Sequence, residues 1–230
     1  MTTPAATTPA ETTPGVTTPS PSEAAPDPHS VDLHSLLRPG TRVMRVIYGD
    51  VDGDGVDDIV LASVVAHPPA GAVMAQPYLD VYRYDGSGWP RAWEATEPAP
   101  PGNPNSPDSV LAEPDPASVN QQLDFLGLID MAHDGSSELV VGVLNVGAGP
   151  GPLDVWVIGF GPEGAVNDFS ESTTSGGVLV AAGDELRLQT PNFRPGDAAC
   201  CPSRIEHQTI GFDPAVGKVR VLHQAFTPVT

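Results

Sequence analysis

The chain has 230 residues, with 10 Lys and Arg against 29 Asp and Glu, and a net charge of −19. A surface this negative disfavours nucleic acid and anionic membranes as partners and favours cations, and no apolar run reaches the roughly eighteen residues that a membrane-spanning helix needs. With 24 glycines, 27 prolines and Lys218 as the sole lysine, long helices are excluded and turns and short strands are favoured. The length suits one domain plus a tail.

The tail comes first. Thr2-Thr3-Pro4, Thr7-Thr8-Pro9, Thr12-Thr13-Pro14 and Thr17-Thr18-Pro19 repeat a TTP unit, and Pro21, Pro26 and Pro28 continue the bias. Proline favours extended polyproline II, and without large apolar side chains nothing offsets the cost of ordering the backbone. Residues 1–29 therefore read as a stalk that spaces an exported domain from a cell surface, or equally as a plain disordered tail. No basic segment followed by an apolar core opens the chain, so the expectation is an exported lipoprotein whose signal and anchor cysteine have been removed.

A single β-rich domain is expected over 30–230. Ser30 can cap a short helix through Leu37, which Pro39-Gly40 stops. Val43 to Ile47 and Ile59 to Ala62 then read as strands on either side of an acidic loop. Leu79–Tyr84 and Trp89–Glu94 form a hairpin around Asp85-Gly86-Ser87-Gly88, and Glu97–Pro116 reads as an exposed loop. Asp130 to Glu138 then aligns without gaps on Asp50 to Asp58, Leu139–Gly142 aligns on Ile59–Ala62, and Leu153–Val157 echoes Leu79–Arg83. Two related units, about 42–96 and 121–168, account for this register. A further strand pair, Thr209–Phe212 and Lys218–Leu222, closes the domain. The fold class is mainly β: small antiparallel sheets in a propeller-like or sandwich arrangement, with a short N-terminal helix and a disordered N-terminal tail. Fewer than the four blades of a closed propeller are legible.

Calcium takes six to eight oxygen ligands, and alternate side chains of a tight loop can converge on one point where glycine permits the turn. In Asp50-Val51-Asp52-Gly53-Asp54-Gly55-Val56-Asp57-Asp58, the carboxylates of Asp50, Asp52, Asp54 and Asp58 and the Val56 carbonyl are the expected ligands, with Asp57 facing solvent. Without metal these like charges oppose one another by on the order of 1 kcal/mol per pair even in water. Cysteine and histidine ligands are absent, which argues against zinc and copper. An EF-hand needs a glutamate at position twelve, where this chain has Leu61. The stretch Gly49–Ile59 instead resembles the FG-GAP or VCBS repeats of integrin-like β-propellers, in which GDxDGDGxxD sits between strands and chelates calcium. In the second copy Ala132 replaces Asp52, which leaves Asp130, Asp134 and Glu138 as a weaker second site or a purely structural turn. His133 falls between ligand positions and is expected to be exposed.

The two cysteines, Cys200 and Cys201, are neighbours. Adjacent Cα atoms lie about 3.8 Å apart, below the usual disulfide range of about 4.4–6.8 Å, so a bridge between them is strained and reducible. An oxidising exported setting nevertheless favours a vicinal disulfide. The Gly196-Asp197 to Cys200-Cys201-Pro202-Ser203 stretch is similar to one near the C-terminus of small exported bacterial lipoproteins that also carry an upstream VDGDG loop, a resemblance that implies layout rather than activity.

Nucleophile elbows, phosphate loops and HExxH are absent. Gly147–Pro152 reads as a turn, and Trp89, Trp93 and Trp156 read as core. The functional expectation is a secreted or cell-surface calcium-binding module that presents a surface to a protein or glycan, without catalysis. The alternative is an extracellular enzyme, either a hydrolase using acids near the calcium or a redox protein using Cys200 and Cys201.

Overall fold

The computed structural model describes residues 25–66, 77–95, 120–146, 150–162, 164–198 and 200–229. The expectations for the tail up to residue 24, for Glu97–Pro116 and for residues 147–149 lie outside them.

Among the described residues twelve strands form three four-stranded antiparallel sheets, each a simple meander. Sheet 1 contains β1 (Thr41–Gly49), β2 (Asp58–Val65), β3 (Pro77–Tyr82) and β4 (Arg91–Glu94); sheet 2 contains β5 (Asn120–Ile129), β6 (Glu138–Val146), β7 (Pro150–Gly161) and β8 (Gly164–Ser172). Sheet 3 contains β9 (Val178–Ala182), β10 (Glu185–Asn192), β11 (Arg204–Asp213) and β12 (Lys218–Pro228). The first strands of successive sheets touch, β1 with β5 and β5 with β9, and so do the last, β4 with β8 and β8 with β12. Like strands therefore face like strands, as in successive blades of an open propeller. The third sheet is complete, whereas only its last two strands stand out in the sequence.

The faces between the sheets are apolar. Val60, Ala62, Leu79 and Val81 of sheet 1 pack against Leu126, Leu139, Val141, Val143, Trp156 and Ile158 of sheet 2, with Trp93 in the same cluster. Val140, Val155 and Val157 on the other face of sheet 2 pack against Leu179, Leu186, Leu188, Ile210 and Val219 of sheet 3. Sheet 2 is thus buried on both faces, and Leu139, Val140, Val141 and Val143 have no exposed surface. That is why β6 is a continuous apolar run rather than an alternating one.

Sheets 1 and 2 are repeats in detail. A bulge interrupts β1 between Val43 and Arg45, and the β5 bulge between Leu123 and Phe125 falls at the equivalent place. The third strands are equivalent in a register other than the one their sequence echo gives. Ile59 pairs with Tyr82 and Leu139 with Ile158, so Tyr82 matches Ile158 where the Leu-Asp-Val echo would match it to Trp156. A shift of two keeps the same side chains on the same face, which is why the pattern tolerates it.

The outer face of sheet 1 is capped by the N-terminal segment. Here the expected Ser30–Leu37 helix is shorter: a 3₁₀ turn, Pro28–Ser30, precedes α1 (Leu33–Leu36), and Asp32 rather than Ser30 is its cap, accepting the His34 N–H at 3.0 Å. Val31, Leu33, Leu36 and Leu37 cover Ile59, Leu61 and Tyr82, and the Tyr82 hydroxyl donates to the Leu36 carbonyl at 2.6 Å. The cap is fastened by charge. Arg38 makes two hydrogen bonds to Asp80, at 2.7 and 3.2 Å, and one to Glu94 at 2.8 Å, while Arg91 adds a longer contact to Asp80 at 3.3 Å. Asp80 is only 1% exposed, so its carboxylate depends on these partners.

Two substitutions test this arrangement. Leu188→Ala, in the interface between sheets 2 and 3, is expected to cost about 2–5 kcal/mol in urea unfolding. Arg38→Met is expected to cost about 3–5 kcal/mol because it strips Asp80 of its principal counter-charge, and to expose the N-terminal segment to limited proteolysis while the rest of the domain resists cleavage.

Candidate metal centre

The meander topology puts every first-to-second-strand connection at the same end of the stack: Asp50–Asp57 in sheet 1, Asp130–Ser137 in sheet 2, and Gly183-Asp184 in sheet 3. Two of these three connections are the acidic loops read from the sequence.

Local hydrogen bonds dictate the shape of the first loop. The Asp50 carboxylate accepts N–H groups from Asp52 at 3.2 Å, Gly53 at 2.7 Å, Asp54 at 3.2 Å and Gly55 at 2.7 Å. Asp54 Oδ1 accepts the Val56 N–H at 2.8 Å. Gly53 and Gly55 adopt φ of 76° and 83°, a left-handed region in which most side chains are strained. Asp58, the first residue of β2, reaches back to accept the Val51 N–H at 3.1 Å. The carboxylate oxygens of Asp50, Asp52 and Asp58 come within 4.8 Å of one another. Asp54, expected as a ligand, is outside that close group and is engaged in its own turn; Asp57 is exposed, as its place in the alternation implies.

The second loop copies this geometry. Asp130 accepts from Asp134 at 3.2 Å and Gly135 at 3.3 Å, Asp134 accepts the Ser136 N–H at 3.0 Å, and Glu138 accepts the Met131 N–H at 2.8 Å. His133 stands where the first loop has Gly53 and is the only described non-glycine residue with positive φ, at 56°. Its side chain is exposed and its Nε2 lies 2.8 Å from Asp184 Oδ2 of the third connection. Among the described residues Asp130, Asp134 and Glu138 do not form a convergent group like that of the first loop. Ala132 removes the carboxylate that would complete one.

The two loops also touch. The Ser137 N–H donates to the Asp50 carbonyl at 2.8 Å, and the space beside Gly53 faces the Ser136 side chain. A chain of contacts thus runs from the first loop through the second to Asp184. One expected ligand, Asp52, carries a further partner that sequence reasoning missed: the Arg83 guanidinium pairs with Asp52 Oδ2. Arg83 directly follows β3, and only the sheet pairing brings it beneath the loop.

The electrostatics follow from burial. Asp58 is 1% exposed, and removal from water, reinforced by the charges of Asp54 and Asp50, pushes its carboxyl up to about 7. Burial likewise raises Glu138. Asp134, by contrast, is held below its ordinary value by hydrogen bonds from Ser136. Three oxygen donors with one buried carboxyl suit a hard cation, which would offset the charge that burial makes costly. Across the stack Cys200 and Cys201 lie in the β10–β11 connection, at the opposite end, as two exposed and unbridged thiols.

Comparison with known proteins finds no matching family model and no matching curated relative.

A pH titration in the presence of a chelator probes Asp58 directly. Its raised value means that the stability it contributes is fully present below 3.8 and is lost as the pH rises to about 7, because the unfolded chain releases a proton that the folded carboxyl keeps. Unfolding free energies from urea titrations are expected to fall over that interval by on the order of 2–4 kcal/mol. Asp58→Asn should flatten most of this slope; an unchanged slope would assign it to other groups.

Proposed function

We propose that this protein is a calcium-binding module of FG-GAP or VCBS type that acts at the cell surface or outside the cell as a structural or binding unit. The observation that carries the reading is the convergence of Asp50, Asp52 and Asp58 on one point, at an inter-strand connection whose backbone is already shaped by glycines and Asp50 hydrogen bonds. Oxygen-only donors in a tight turn match the coordination chemistry of calcium. The Val56 carbonyl and Asp54 complete the ligand set as the loop adjusts around the ion. The Thr/Pro tract supports an exported, stalk-borne domain that engages a protein or glycan.

In this role calcium is structural: it braces the first loop and, through the Ser137–Asp50 bond, the second. Extracellular modules bind calcium at about 10⁻⁴–10⁻³ M, so millimolar calcium contributes about 0.4–1.4 kcal/mol. Calorimetric titration of the chelator-treated protein is expected to show one site in this range, with a raised Tm that Asp50→Asn and Asp58→Asn abolish. An unchanged Tm and unchanged protease resistance on chelation would sink the reading. Arg83→Gln removes the cation that competes for Asp52 and is expected to tighten calcium binding by up to roughly tenfold, about 1.4 kcal/mol.

A further inference from the structure

Cysteine is among the most frequently buried residue types, yet both cysteines of this chain are exposed. They take no part in any of the apolar clusters between the sheets. A bridge between neighbours encloses no length of chain, so it cannot stabilise by restricting the unfolded state as a long-range disulfide does. Packing and stapling are therefore both removed as reasons for the pair, and the chemistry of the sulfurs remains.

The loop that carries them is closed upon itself. The Asp197 carboxylate accepts the Arg194 N–H at 2.7 Å and the Ser203 N–H at 2.9 Å, joining the two ends of the loop. The Cys201 N–H donates to the Ala198 carbonyl at 2.9 Å, and the Val229 N–H anchors the Ser203 carbonyl at 3.0 Å. Covalent change at the sulfurs is thereby confined to the loop tip, away from the sheets. A hydrogen bond with Cys200 holds the Cys201 thiol above its ordinary value, and both thiols are exposed at that tip.

We propose that Cys200 and Cys201 form a surface dithiol that exchanges with disulfide-bearing molecules, passing through a strained vicinal disulfide. Cys200 loses its proton and attacks one sulfur of the incoming disulfide, forming a mixed disulfide and releasing the other sulfur as a thiolate. Cys201 gives up its proton and attacks the Cys200 sulfur, expelling the second half. The protein loses two electrons and two protons, and the incoming disulfide is reduced to two thiols. Because neighbouring Cα atoms lie closer than a relaxed bridge requires, the oxidised form is easily reduced, which is the property of an exchange site rather than of a structural bond.

Oxidised glutathione serves as the probe, on the full chain in native buffer, followed by acid quench and intact-mass measurement. The wild-type protein is expected to lose two hydrogens and retain no glutathione. Cys201→Ser is expected to trap one glutathione on Cys200, because the resolving sulfur is gone. Addition of reduced glutathione in millimolar excess should return the bridged protein to the dithiol. Wild-type protein that keeps two glutathiones, stays fully reduced or forms a disulfide-linked dimer would overturn the proposal, as would a bridge that resists reduced glutathione. Both cysteines are exposed, and an unchanged Tm of Cys201→Ser certifies its fold. The exchange is expected to be the same with calcium or with chelator, since the loops lie at opposite ends of the stack, so calcium binding and thiol exchange stand or fall separately.

Discussion

Sheet 2 is apolar on both faces, and that constraint organises the molecule. A strand such as β6, with Leu139, Val141 and Val143 directed at one neighbour and Val140 at the other, cannot leave either face in water. Burying such side chains is worth about 1.5–3 kcal/mol each, so a sheet must lie on either side. Sheets 1 and 3 are held in place by this demand. Their own outer faces are treated differently: sheet 1 is closed by Val31 to Leu37 under the Arg38 clamp, whereas the outer face of sheet 3 leaves Val178, Val180 and Leu222 between 41% and 57% exposed.

The stacking also makes the acidic end. Because each sheet is a meander and like strands face like strands, all the first connections emerge together. The two acidic loops then bond to each other through Ser137 and Asp50, and the second reaches Asp184 through His133. A cation at the first loop would therefore act on a surface assembled from all three sheets. The backbone hydrogen bonds shared by the loops separate shape from ligation: both keep the turn, and only the first keeps the convergent carboxylates.

Sequence reasoning reached the acidic loops because they are local. An acid at the start to gather N–H groups, an acid at the end to reach back and a glycine at the sixth position are written within nine consecutive residues of each loop, although His133 takes the left-handed place that Gly53 holds in the first. The hairpin of β3 and β4 and the core placement of Trp93 and Trp156 were legible for the same reason, through period and turn chemistry, whereas the N-terminal helix proved shorter than read and capped by Asp32 rather than Ser30. The β9–β10 pair was missed: β9 has apolar residues on both faces, with Val178 and Val180 exposed, and so shows no polar–apolar contrast, although Leu186, Leu188 and Thr190 alternate with exposed Arg187 and Gln189 in β10.

What the sequence by itself determined was the β-rich class, the repeat of two units, the position of the first acidic loop between strands and the adjacency of the cysteines, all of which depend on residues close together in the chain. Only the tertiary structure decided that Arg83 sits on Asp52, that Arg38 holds the buried Asp80, that the third-strand register differs by two from its sequence echo, and that the thiols and the acidic loops occupy opposite ends. Those outcomes depend on which strands pair and which sheet faces meet. Such pairings are set by the summed burial of three sheets rather than by any local pattern.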